Sequence, residues 1–283
     1  MSNSSYDIKD VYSVFKKIDG YFYYQKQEGG GSVEHDNKSI YKYCPYSNTF
    51  NSGYCNNYLE RARSGVINLL ENLEKYNLGH EKLAEYAILF LSYKLKQHSQ
   101  QKSTDLNKVY TNHIKNNNYY NKKIKGNGPT YKDIIDKKKD LMNIKEISKF
   151  NGLFSILFSF YNEINKNKLD CTKYSEKAND FAKNFENLNE DSSINGNTSY
   201  SKLLSTLSDD YNNVIKNCTD FPTLPKVKTP PSKLIPVLST FPVIPVFLGI
   251  AYKYSLFGVD KLFQREYLRK KLKKVKKKLK LNI

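Results

Sequence analysis

The sequence predicts an all-α fold: a helical-bundle N-terminal domain, a Pro-rich stalk, a single C-terminal transmembrane helix and a basic tail. Three observations carry this. Apolar residues recur at helical spacing in successive blocks between Asn56 and Asn217, and no alternating strand pattern of useful length accompanies them. An uncharged run of 19 residues extends from Leu234 to Tyr252. A lysine-rich segment follows it. The expected division is residues 1–220 for the helical domain, 221–233 for the stalk, 234–252 for the membrane helix and 253–283 for a cytoplasmic tail.

The opening stretch, MSNSSYDIKDVYSVFKKID, is broken by Asp and Lys every few positions, so no apolar core of a cleaved secretory signal is expected there. Gly29-Gly30-Gly31 precedes Ser-Val-Glu, lacks the Gly-Lys-Ser/Thr of a phosphate loop, and reads as a flexible connector. The first helical stripe is Leu59, Ala62, Val66, Leu69, Leu70 and Leu73; the next, after Gly79, is Leu83, Tyr86, Ala87, Phe90, Leu91 and Leu95. Leu106, Val109, Tyr110 and Ile114 continue the pattern up to a lysine-rich turn around Gly126, Gly128 and Pro129, and a short helix is expected from Tyr131 to Leu141. The Phe-rich block from Ile144 to Ile164 has the widest apolar face and is expected at the centre of the bundle. Two further stripes, Tyr174 to Leu188 and Tyr200 to Ile215, are separated by the loop NEDSSINGN.

Four cysteines, Cys44, Cys55, Cys171 and Cys218, show neither a C-x-x-C pair nor a His at metal-ligand spacing, which argues against zinc. In an oxidising compartment the simplest pairing is local, Cys44 with Cys55 and Cys171 with Cys218; the alternative is four free buried thiols. A bond between Cys171 and Cys218 would staple the open end of a helical hairpin and contribute on the order of 4 kcal/mol by chain entropy.

Phe221 to Lys233, FPTLPKVKTPPSK, holds four prolines and no periodic pattern, so an extended, semi-rigid spacer is expected. As a helix the run after it would span about 28 Å, matching a bilayer core. Pro236, Pro242 and Pro245 would break a soluble helix or strand but are tolerated in membrane helices. Tyr252, Lys253 and Tyr254 suit the headgroup layer. In YLRKKLKKVKKKLK, Leu268, Leu272, Val275 and Leu279 form a narrow apolar stripe on a cationic helix. Arg269, Lys270, Lys271, Lys273, Lys274, Lys276, Lys277 and Lys278 are expected to contact anionic lipid.

Net charge is +18, of which residues 253–283 carry +10 and residues 1–252 the remaining +8. The excess is therefore a tail beside the bilayer run, and nucleic acid is not an expected partner. The positive-inside tendency keeps this tail cytoplasmic and the domain on the opposite side. His35, His80, His98 and His113 fall singly, without a carboxylate or Cys at site spacing, and are expected at the surface. Asp209-Asp210 and Glu190-Asp191 read as acids at caps and loops. No catalytic constellation is visible, so no enzyme activity, cofactor, metal or small-molecule substrate is expected. Asn3, Asn37, Asn197 and Asn217 begin Asn-x-Ser/Thr triplets, glycan acceptors if lumenal, though chance matches are frequent in so Asn-rich a chain.

The segments YKDIIDKKKDLM, ISKFNGLFSILFSFYNEI, LSTLSDDYNNVIKNC and IPVFLGIAYKYSLFG followed by YLRKKLKKVKKKLK resemble the PIR (Plasmodium interspersed repeat) family of malaria parasites, most closely its rodent-parasite branches, from about Val11 to Asn282. The resemblance implies an exported variant surface antigen at the infected-erythrocyte surface or in parasite-derived membranes of the host cell, with roles in antigenic variation, immune evasion and host-cell adhesion. It places the four cysteines at positions where the family usually has them. It departs from the family at Tyr12 and Val66, whose segments normally carry Cys, as loss of one paired bridge would leave them.

Two readings of function follow. In the first, the bundle is an ectodomain presenting the loops Gln25–Ser52, Gln97–Leu106 and Asn187–Ser199 to host receptors or antibodies. In the second, it is an intracellular, membrane-tethered scaffold whose helical domain stays in the cytosol.

Overall fold

The structure, a computed structural model, describes residues 6–26, 32–142, 144–229, 265–274 and 276. It divides into two units, Met1–Pro231 and Ser232–Ile283.

The first unit is a helical bundle decorated by two small hairpins. Helix α1 (Ile8–Asp19) begins at Asp7, whose carboxylate accepts the Lys9 amide, and buries Val11, Tyr12, Phe15 and Ile18 on one face. Lys9, Asp10, Lys16 and Lys17 interrupt its apolar residues, so the stripe is not evident along the sequence. Strands β1 (Phe22–Lys26) and β2 (Ser32–Asp36) pair antiparallel, Phe22 opposite Asp36, across the glycine-rich connector. A 3₁₀ turn over Lys38–Tyr43 leads to a second hairpin of β3 (Tyr46–Ser47) and β4 (Ser52–Gly53).

Helices α2 (Tyr58–Leu73) and α3 (His80–Gln97) follow, matching the two predicted stripes. Asn57 caps α2, and left-handed Asn77 (φ 53°) turns the chain into α3. Next come α4 (Leu106–Val109) with a π turn over Tyr110–Ile114, α5 (Tyr131–Asp136) opened by a Thr130/Asp133 capping box, and a 3₁₀ turn over Lys139–Met142. The Phe-rich block resolves into α6 (Ile144–Ile147), a 3₁₀ turn and α7 (Asn151–Ile164). Then α8 (Cys171–Glu190), α9 (Ser192–Asn195) and α10 (Thr198–Ile215) close the bundle, with one helical turn in the predicted loop NEDSSINGN.

Helix α7 lies in the core as expected, with Leu153, Phe154, Leu157 and Phe160 fully buried. It shares the centre with α3, which packs on α2, α5 and α7 and is therefore buried on most of its circumference, from Leu83 to Leu95. Rings interlock across these helices: Phe15 meets Tyr86 and Phe154 edge-on at 5.4 and 5.1 Å, and Tyr211 stacks on Phe181 at 4.3 Å.

The chain beyond α10 is extended, as the prolines require, but it does not stand clear of the bundle. Phe221 is buried against Phe160 at 5.5 Å, and Leu224 and Val227 pack on the core's edge. The Asn189 side chain, itself only 2 % exposed, donates to the Lys226 carbonyl (3.0 Å) and accepts the Lys228 amide (2.7 Å). It thereby imitates one rung of a β-ladder, and a Lys228–Glu190 ion pair at 2.5 Å lies beside it. Burial of Phe221 and these bonds outweigh the spacer tendency of the prolines as far as residue 229.

In the second unit, residues 265–274 and 276 are helical and exposed, including Tyr267, Leu268 and Leu272. The expected membrane helix, 234–252, lies outside the described residues. Among the described residues no helix is long and apolar enough to cross a membrane.

Candidate functional site

The first predicted display loop carries a built surface. Cys44 is bonded to Cys55, closing the base of the β3–β4 hairpin, and the Tyr54 amide donates to the Pro45 carbonyl at 2.8 Å. At the tip Asn51 is left-handed (φ 47°), as its side chain type tolerates, and accepts a hydrogen bond from the Tyr46 hydroxyl. Gly53 is required on steric grounds: a Cβ there would run into the Tyr41 carbonyl. Tyr119 donates to the Cys44 carbonyl (3.0 Å) and holds the hairpin to the bundle. Phe50 stacks on Tyr54 at 4.3 Å, and Tyr54 meets Tyr41 at 5.4 Å. Partial burial pulls the Glu71 carboxyl up, but the Lys42 ammonium, 2.7 and 2.9 Å from its two oxygens, and the Tyr43 hydroxyl hold it below its ordinary range.

The other two loops are more structured than expected. Residues Ser99–Gln101 form a 3₁₀ turn, and His98 before them stacks on Tyr58 at 4.3 Å, half-buried instead of free at the surface. Asp191 caps α9 as its position suggests. Lys149 at 2.5 Å and the Ser193 hydroxyl hold its pKa down to about 2.

The strongest polar feature lies in the core and not at a cap, where its acid is expected. Asp210 lies inside α10, 1 % exposed, and accepts hydrogen bonds from the Tyr12 hydroxyl (3.0 Å) and the Tyr86 hydroxyl (2.9 Å). Tyr161 donates to its main-chain carbonyl at 2.7 Å. Burial raises the Asp210 pKa to about 6, opposed by Lys82 and the two tyrosines. Lys82 stands over the rings of Tyr6 and Tyr86 at 5.4 and 5.6 Å, where a cavity of about 500 Å³ opens beside Asp7 and Asp209. This group ties α1, α3, α7 and α10 together, and its own lysine answers its charge. Nearby, buried Lys138 pairs with Glu85 at 2.7 Å, and Thr206 donates to Glu85 at 2.8 Å. Both clusters are self-satisfied, which is the arrangement of structural polar cores.

Of the remaining predicted residues, Cys171 is bonded to Cys218, joining the start of α8 to the chain just beyond α10. Tyr12 and Val66 are fully buried on α1 and α2, which pack together. Tyr252, Lys253, Tyr254, Lys277 and Lys278 lie outside the described residues. Arg269, Lys270, Lys271, Lys273, Lys274 and Lys276 are helical and exposed. Asn37 and Asn197 are occupied as helix caps, and Asn217 donates to the Asn213 carbonyl; Asn3 lies outside the described residues. Among the described residues no group of His, Cys, Asp and Glu is placed to hold a metal ion.

The family model described as Plasmodium variant antigen protein Cir/Yir/Bir matches residues 12–253. The fold is also similar to a solved structure described as a Plasmodium PIR protein ectodomain. That likeness has 32 % sequence identity and a TM-score of 0.58, and it covers 78 % of this chain and 99 % of that one. No curated protein matches the chain.

Proposed function

The chain belongs to the Plasmodium Cir/Yir/Bir variant antigen family, and from that premise we propose that it is an exported surface antigen anchored by residues 234–252. Its helical domain faces the host side, and its lysine-rich end grips the cytoplasmic leaflet. The observation that carries this is the order of parts: a disulfide-bonded domain similar to a PIR ectodomain, then a 19-residue uncharged run, then a segment of net charge +10. Stapled hairpins and capped turns hold the backbone while exposed loop residues are free to vary, which suits antigenic variation and immune evasion. Host receptors or antibodies are the partners this role implies, with anionic lipid for Arg269 to Lys278.

Alkaline carbonate extraction of membranes from infected cells tests the anchor. The full-length protein is expected in the pellet; its release into the supernatant would remove the anchor from the proposal.

A further inference from the structure

Among the described residues of the first unit, the exposed large apolar side chains are Tyr46 and Phe50, at 62 % and 54 %, and both stand on the hairpin closed by Cys44–Cys55. An apolar pair left in water on so constrained a loop suggests a contact surface. Beside it lies a cavity of about 690 Å³ whose lining includes Lys38, Tyr41, Lys42, Phe50, Tyr54 and Tyr119 together with Ser52, and no carboxylate stands among the described lining residues.

We propose that this cavity binds a carboxylate-bearing pyranose sugar, its ring resting on Phe50 and its carboxylate held by Lys38 and Lys42. The 4.3 Å stack of Phe50 on Tyr54 leaves no slot between the rings for a planar base, so a ligand lies on the outer face of Phe50. A puckered ring with one C–H face suits that platform, and its hydroxyls meet Ser52 and the tyrosine hydroxyls. Glu71, whose two oxygens lie 2.7 and 2.9 Å from the Lys42 ammonium, fixes the position of Lys42, and Lys38 is exposed. An extended acidic peptide fits less well, because β3 and β4 are two residues long and offer no edge for strand pairing. The disulfide, the Tyr46–Asn51 bond and the Gly53 approach set the platform before binding, so little ordering cost is left. The assignment goes beyond the surface-antigen reading and stands whichever side of the membrane the domain faces.

The test is saturation-transfer NMR and titration of the detergent-solubilised full chain with methyl β-glucuronide, with methyl β-glucoside of the same ring, and with an acidic hexapeptide. The glucuronide is expected to bind at least about tenfold more tightly than the glucoside, with transfer to its ring C–H protons. Phe50→Ala and Lys38→Gln are each expected to weaken it by about tenfold with the thermal melting midpoint unchanged, and Phe50→Tyr to restore it. The proposal is overturned by absence of glucuronide binding or by equal binding of the glucoside. Binding that survives both weakening variants overturns it too, since the ligand's site would then lie elsewhere on the chain. A peptide that binds more tightly through Phe50 would make the cavity a peptide site and end the sugar assignment.

Discussion

Asp210 shows how one side chain can sit where its type argues against it. Positions 203, 207, 210 and 214 fall on a single stripe of α10, so Asp210 occupies a core position among Leu203, Leu207 and Val214. Read as one of two adjacent acids it looked like a surface cap; read by its phase in the helix it points inward, and Tyr12 and Tyr86 supply the donors it needs. Its pKa of about 6 is raised from 3.8, first by burial. The folded protein therefore holds the proton through that window; this group's stabilisation is complete below 3.8 and is lost as pH rises through about 6. A shift of two units corresponds to about 3 kcal/mol. The stability difference between wild type and Asp210→Asn, from urea unfolding at stepped pH, should grow in favour of wild type by up to about 3 kcal/mol from pH 7 to pH 4. Carboxyls held low in both proteins, such as Glu71 and Asp191, lose stability on acidification in both and cancel in the difference. A difference that stays flat with pH contradicts the account of Asp210.

At the scale of elements, the long helices were legible because each buries a stripe that repeats over several turns, as in α2, α3, α7, α8 and α10. Helix α1 was not, since Lys9, Asp10, Lys16 and Lys17 interrupt it; its inward residues Val11, Tyr12, Phe15 and Ile18 become a face only when spaced around a helix. The hairpins were not legible either, because pairing such as Phe22 with Asp36 is fixed between strands and leaves no alternation in strands this short. The strap after α10 depends on Asn189, which resembles any other loop asparagine until its two main-chain bonds are seen. Asn189→Ala should leave the bundle folded and release residues 222–229. Trypsin cleavage after Lys226 and Lys228 is then expected to rise by about tenfold, since the lost bonds lower the local opening cost by more than about 1 kcal/mol. Unchanged cleavage in the variant would mean that Phe221 and Leu224 hold the strap without Asn189.

Over the whole molecule, the all-α domain was readable in advance, and the candidate contact surface was readable only as a loop. The cavity beside Phe50 gathers Lys38, Tyr54 and Tyr119 from separate stretches, a juxtaposition that spacing along the chain does not reveal. Charge, by contrast, is plain in the sequence: residues 253–283 hold +10 of +18, behind a run that no charge interrupts. From that polarity comes the central claim, that the helical domain and the basic tail lie on opposite sides of a membrane. Intact and permeabilised infected erythrocytes can be labelled in parallel with one antibody to the helical domain and another to the tail. The account predicts that the domain is labelled on intact cells and the tail only after permeabilisation; labelling of both only after permeabilisation contradicts it.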